Sequence, residues 1–102
     1  MLAAEMTMKI EDFQRSLKAN EPPADLSEAL TALWWDARGD WSRAHSHAQD
    51  DEGTNGAWVH AYLHRKEGEQ WNADYWYRKA GSQHRRVTLE AEWQALVEAL
   101  LQ

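Results

Sequence analysis

The segments GDWSRA at residues 39–44 and GEQWNA at residues 68–73 decide how this chain folds. They align when the chain is laid on itself at an offset of 29 residues, which also places Ala32 on Ala61. In each segment a glycine ends one helix, an acidic residue follows, and an alanine lies five residues beyond the glycine. Small residues at matching places let two antiparallel helices approach closely. The two segments therefore predict two helical hairpins that share a core.

Helical periodicity extends over the rest of the chain, and patterns typical of strands are nearly absent. We predict the hairpins over about residues 25–50 and 56–81, with capping helices over about residues 7–19 and 88–101. The 102 residues are enough for one domain that buries a core without disulfides. The expected fold is a single all-α domain over residues 1–102, a compact bundle of about six helices.

Composition excludes several classes of protein. The 11 basic and 17 acidic residues give a net charge of −6, which argues against a nucleic-acid binder and against attachment to an anionic membrane surface. The absence of cysteine excludes disulfides and thiolate metal sites. No apolar run approaches the roughly 18 residues of a membrane helix, and the first ten residues do not form a secretory signal. We expect a cytoplasmic protein.

The hairpin pattern resembles the tetratricopeptide repeat and its Sel1-like relatives. The residues that carry this resemblance are the turn at 39–41 with Ala44 in the first unit, and Ala61, the turn at 68–69, Ala73 and the run at 75–80 in the second. The resemblance covers about residues 28–81 and implies a module that binds a protein or a peptide. The stretch WVHAYLHR at residues 58–65 also resembles segments of small bacterial proteins, which implies no activity.

Aromatic residues are concentrated in the second hairpin, and the chain has seven tryptophans. Trp and Tyr combine a large contact area with a polar tip, which suits recognition surfaces. The first hypothesis is a non-catalytic module that binds a protein or a peptide through Trp58, Tyr62, Arg65, Trp76 and Tyr77. The alternative for each ring is a core built from Trp instead of Leu. A homodimer is a further expectation, because a groove lined by Trp on so small a protein often needs covering.

A second hypothesis concerns metal binding. His60, His64 and Glu67 fall within about 60° of arc on one helix face, and His45 on the preceding helix could add a ligand. Two imidazoles and a carboxylate suit a divalent metal, so the alternative function is a metal-binding protein or a small metal-dependent enzyme. Apart from this metal no cofactor is expected. The lack of a complete catalytic set favours a protein that is not an enzyme.

The histidines also have a structural interpretation. A buried imidazole without a partner costs about 1–3 kcal/mol, so each ring nitrogen should find a donor or an acceptor. This interpretation predicts a buried polar network centred on His64. Its candidate members are Glu67, Asn72, Tyr75 and Tyr77.

Four tryptophans allow the hairpin register to be checked. Trp34 continues an apolar stripe, whereas its neighbour Trp35 corresponds to His64 at the offset of 29 residues. We predict that Trp35 packs between the helices of the first hairpin and that Trp41 and Trp93 are buried.

Overall fold

The computed structural model describes residues 8–81 and 87–101, and all regular secondary structure in these ranges is helical. The helices are α1 (Ile10–Ser16), α2 (Glu28–Ala37), α3 (Trp41–Asp50), α4 (Thr54–Lys66), α5 (Gln70–Lys79) and α6 (Leu89–Leu100). This architecture confirms the prediction of an all-α bundle with six helices. No helix in the described ranges is long and apolar enough to cross a lipid bilayer.

Polar side chains mark the start of three helices. Ser27, Asp40 and Thr88 each accept a hydrogen bond from the backbone N–H three residues ahead, at the beginning of α2, α3 and α6. Such a cap stabilises a helix by about 1 kcal/mol.

The N-terminal capping helix, α1, is shorter than the predicted range 7–19. The N–H groups of residues 17–19 bond to carbonyls only three residues back, so the helix tightens and ends, and residue 7 lies outside the described ranges.

Both hairpins turn in the same way. Gly39 follows α2 and Gly68 follows α4, and each has φ of +81°. The acid after each glycine, Asp40 or Glu69, donates its backbone N–H at 3.0 Å to the carbonyl five residues earlier. This pattern is the Schellman motif, in which glycine adopts the left-handed conformation without a steric penalty. The sequence similarity of the two segments therefore corresponds to the same backbone turn.

The main core lies where α2, α4 and α6 meet. Its largest fully buried side chains include Trp34, Phe13, Leu33, Leu63 and Leu96. The indole N–H of Trp34 donates to the hydroxyl of Ser16 at 3.1 Å, which ties α1 to this core. The apolar stripes predicted from periodicity thus face one another.

The other tryptophans lie at the edge of the core. Trp41 and Trp93 are half-buried rather than buried, and their indole N–H groups donate to backbone carbonyls of α4 and α2 at 3.1 and 3.0 Å. Trp35 is also half-buried. It packs edge-on against Trp34 and lies 4.4 Å from the guanidinium carbon of Arg43 in α3. Trp35 therefore lies between the helices of the first hairpin, as predicted.

Small residues bring the helices of the second hairpin together. Ala61 of α4 and Ala73 of α5 are fully buried in one cluster with Tyr77.

Near the N-terminus of α4, a Cβ atom on Gly56 would lie only 2.0 Å from the carbonyl oxygen of Asp51. The α3–α4 loop therefore packs directly on the backbone of α4.

Candidate metal centre

Three histidine side chains from two neighbouring helices meet beside this loop. His60 and His64 are four residues apart on α4 and share one face, and α3 presents His45 opposite them. Each residue contributes one ring nitrogen, and the three nitrogens all lie within 4.8 Å of one another. The structure therefore brings together three of the four residues predicted as metal ligands.

The rings form a compact arrangement that is open on one side. Nε2 of His45 lies 2.9 Å from Nε2 of His60. His60 and His64 stack with an interplanar angle of 18°, and His45 meets both rings edge-on. His60 and His64 are buried, whereas His45 is half-buried, so solvent reaches the group from the side of α3.

A carboxylate orients one of the rings. Nδ1 of His64 lies 2.7 Å from Oε1 of Glu69, the residue that follows the glycine of the second turn. This contact uses Nδ1 and leaves Nε2 of His64 as the nitrogen available to a ligand. Carboxylates bonded to the second nitrogen of a histidine commonly orient metal-binding imidazoles and raise their basicity.

Two tryptophans hold the other rings. Trp76 of α5 stacks on His60 with a centroid separation of 3.8 Å and an interplanar angle of 14°. Trp41 of α3 stacks on His45 at 4.7 Å and 17°. Because each imidazole has an aromatic face against it, the rotation that would turn its nitrogen away from the group is restricted.

The surroundings favour neutral imidazoles. Burial lowers the pKa of His60 to about 4, with a further contribution from the adjacent His45 and His64. Burial also lowers the pKa of His45, and the neighbouring His64 adds to this effect. A metal binds the neutral form of the ring, so these two side chains need not lose a proton at neutral pH before they coordinate.

The dimensions suit a tetrahedral ion. Zinc–nitrogen bonds of about 2.0–2.1 Å place the ligating nitrogens about 3.3 Å apart. Nε2 of His45 and Nε2 of His60 are slightly closer than this, and the third nitrogen lies within 4.8 Å. Binding of one ion would therefore require His45 and His60 to move slightly apart and any nitrogen pair wider than about 3.3 Å to close.

Glu67, the fourth predicted ligand, does not join this group. It is the C-cap of α4, beyond the last residue of the helix, and it is exposed. The partner of His64 is Glu69 rather than Glu67, Asn72, Tyr75 or Tyr77. Sequence reasoning treated Glu69 only as a turn residue. The signal that could have identified it is the glycine turn itself, because a Schellman motif bonds the backbone of Glu69 to the carbonyl of His64.

Two of the residues predicted to bind a partner belong to the core instead. The hydroxyl of Tyr62 donates to the buried carboxylate of Asp36, and that of Tyr77 donates to the buried Glu92. Burial raises the pKa of both phenols, and the bonded carboxylates raise it further. The two tyrosine hydroxyls are therefore hydrogen-bond donors to buried carboxylates and are not available on a surface.

The remaining three predicted residues also lack a common exposed face. Arg65 donates to Glu92 at 2.6 Å and to the carbonyl of Val87, while Trp58 and Trp76 are half-buried against the core clusters. The exposed aromatic side chains are different ones, Trp71 at 79% and Tyr75 at 45%. The five predicted recognition residues therefore do not form one exposed surface, because the two tyrosines are buried and the other three side chains are half-buried.

A second group of ligand atoms lies at the surface. Glu28 of α2 with His47 and Asp50 of α3 brings three such atoms within 4.8 Å, and Nδ1 of His47 lies 3.1 Å from Glu28. Its carboxylates are exposed, unlike the rings of His60 and His64. Exposed acids are well solvated without a metal, so we expect this group to bind metals weakly.

No family model, curated protein or solved structure gives a significant match to this chain. The resemblance to the tetratricopeptide repeat therefore stays a prediction. Inference about function starts from the geometry of the three histidines.

Proposed function

We propose that this protein binds a divalent transition-metal ion such as Zn²⁺ through His45, His60 and His64. The observation that supports it is the convergence of three ring nitrogens within 4.8 Å. Imidazole nitrogens suit Zn²⁺, Cu²⁺ and Ni²⁺. The carboxylate of Glu69 on His64 is a further feature of such centres.

Hydrogen bonding alone accounts for only part of the arrangement. One of the two facing nitrogens of His45 and His60 can donate to the other at 2.9 Å. Nδ1 of His64 is used by Glu69, which leaves a lone pair on its Nε2. Within residues 8–81 and 87–101 no protein group bonds this Nε2, and no buried side-chain nitrogen there lacks a partner, so Nε2 is in contact with solvent and open to a ligand. A metal ion would use all three inward nitrogens at once.

Calorimetric titration of the tag-free protein, after removal of metals by a chelator, tests the proposal. We expect one tightly bound Zn²⁺ per chain and a rise in melting temperature when the ion is added, because it binds the folded state. His45→Gln should weaken binding by more than about 100-fold, since it removes one of three ligands. His45 is the least buried of the three, so this variant is the least damaging to the fold.

The matched control is His47→Gln, which changes another histidine of α3. It removes a ligand of the exposed group with Glu28 and Asp50, so tight binding that survives in it does not come from that group. A wild-type chain that takes up no stoichiometric metal, with His45→Gln merely less stable, would leave the histidines as a structural network.

A protein-binding role is the second candidate, and the exposed Trp71 and Tyr75 favour it. They are four residues apart and share one face of α5. The partner we would test is a second copy of the chain. Sedimentation velocity should show self-association that Trp71→Ser abolishes, and a monomer at all concentrations would remove this candidate.

A further inference from the structure

A groove of about 560 Å³ borders the metal centre at His60. The loop at residues 51–54 forms one side, and α5 forms the other with Trp76 and Lys79. The ammonium group of Lys79 lies 5.5 Å from the ring centroid of Trp76, which itself stacks on His60. A cation, an aromatic face and one metal-ligand candidate therefore line the same space. Its volume is typical of a site for a small organic molecule.

The chain supplies three ligands for a tetrahedral ion. Among the residues described, the histidine group contains no fourth ligand atom, because Glu69 lies on the outer nitrogen of His64. Metal sites with three protein ligands keep one position for water or for an external ligand, whereas structural zinc sites use four. This position would accept an external ligand, and of the three histidines His60 is the one that borders the groove.

The charge of the groove depends on the metal. Lys79 contributes one positive charge, and Asp51 and Glu52 contribute two negative ones, so the lining carries −1 without an ion. A divalent ion on the histidines would add two positive charges beside this lining, of which the carboxylate of Glu69 on His64 offsets one. The carboxylate of Asp51 is in addition engaged by the backbone N–H of Gly53 at 2.9 Å. The groove is therefore more favourable for an anion when the metal is bound than when it is absent.

The walls near His60 include apolar surface. Trp76, Ala48 and Ala57 contribute to the lining, so a ligand with an apolar body would bury surface there. We propose that a small carboxylate with an apolar body binds in this groove and completes the coordination of the metal. This inference rests on the proposed metal-binding function.

Cobalt-loaded protein offers a direct test, because the visible spectrum of Co²⁺ changes when its ligands change. Acetate, benzoate and the neutral benzyl alcohol serve as probes, with azide as a small anion that tests the open position alone. We expect azide and both carboxylates to shift the spectrum, benzoate to bind at least fivefold more tightly than acetate, and benzyl alcohol to cause no shift. Without the metal, benzoate should not bind.

Variants test the role of the groove. Lys79→Gln should weaken benzoate binding about fivefold or more and leave Co²⁺ affinity unchanged, since Lys79 is not a ligand. Lys18→Gln is the matched control, because it makes the same change of charge at an exposed lysine that does not line the groove.

The outcomes separate the two proposals. Tight Co²⁺ binding with a spectrum that no anion changes would overturn the carboxylate ligand and leave metal binding intact. A shift with azide alone, or equal benzoate affinity in Lys79→Gln and wild type, would also overturn it. Failure to bind Co²⁺ at all would overturn both.

Discussion

Nδ1 of His64 and Oε1 of Glu69 lie 2.7 Å apart, so the second hairpin turn is bonded to the candidate metal centre. Loss of this carboxylate should leave the ring of His64 without the contact that fixes its orientation from the turn. We expect Glu69→Ala to weaken Zn²⁺ binding by about 10–100-fold while the chain stays folded. Glu67→Ala, which removes an exposed acid two residues away, should keep the wild-type affinity in the same calorimetric titration. Equal affinities in the two variants would contradict the orienting role.

The α4–α5 interface should not tolerate a larger side chain at its closest point. Ala73 is fully buried against Ala61, so Ala73→Leu should overpack the interface and lower the free energy of unfolding by about 1–3 kcal/mol. Urea denaturation measures this change. Ala99→Leu on the exposed side of α6 is the control and should alter stability by less than about 0.5 kcal/mol. An unchanged urea midpoint for Ala73→Leu would mean that the helices do not approach closely.

At Gly56 a change to alanine should lower the free energy of unfolding, although helix propensity alone predicts that it would rise. Gly→Ala inside a helix normally gains up to about 1 kcal/mol. At Gly56 the new methyl group would meet the carbonyl oxygen of Asp51, so we expect a loss of about 1–3 kcal/mol in urea denaturation. Gly53→Ala meets only a side-chain oxygen at 3.3 Å and should cost less. A more stable Gly56→Ala variant would contradict the packing of the loop on α4.

The buried acid of α6 depends on its cation. Arg65→Met leaves the carboxylate of Glu92 without its ion-pair partner, and the free energy of unfolding should fall by about 3–5 kcal/mol. The double variant Arg65→Met/Glu92→Leu should recover much of this loss, because it also removes the buried charge. Arg15→Met, which breaks an exposed pair with Asp12, should cost less than about 1 kcal/mol. If the double variant is no more stable than Arg65→Met alone, the loss has another cause.

The buried phenols predict a loss of stability in alkali. The pKa of Tyr77 is raised above its ordinary value of 10.0, mainly by burial, so above about pH 10 the unfolded chain loses a proton that the folded chain keeps. The free energy of unfolding should therefore fall as the pH rises through this range. The fall should be shallower in Tyr77→Phe, as measured by urea denaturation from pH 8 to about pH 11. Tyr75→Phe, which changes an exposed tyrosine of the same helix, should keep the wild-type slope.

The hairpins could be predicted because their determinants are local. Gly39 and Gly68 end helices through their own backbone conformation, and the residues around them carry the pattern within a few positions. His60 and His64 could be paired for the same reason, because a spacing of four residues places both on one helix face. Their proximity to His45 followed from the expectation that neighbouring helices pack together.

Burial of the tyrosines could not be predicted in this way. A Tyr side chain suits a surface or a core equally well, since its ring is apolar and its hydroxyl is polar. Here the choice depends on Asp36 of α2 and Glu92 of α6, which accept from Tyr62 and Tyr77 across 26 and 15 residues of sequence. No periodicity connects such pairs. The partner of His64 was missed for a different reason, because the predicted turn was not extended to the contact it makes between Glu69 and that ring.

The acids that follow the glycines of the two hairpin turns, Asp40 and Glu69, differ by a single methylene group, and this difference has a consequence for the candidate metal centre. After Gly39 the shorter side chain of Asp40 accepts from the backbone of Arg43 and caps its own helix. After Gly68 the longer side chain of Glu69 does not cap α5 and instead reaches back to His64. Both turns keep the same glycine geometry. A change in the length of this side chain would therefore alter the support of His64 in the candidate metal centre, while the glycine turn keeps its backbone conformation.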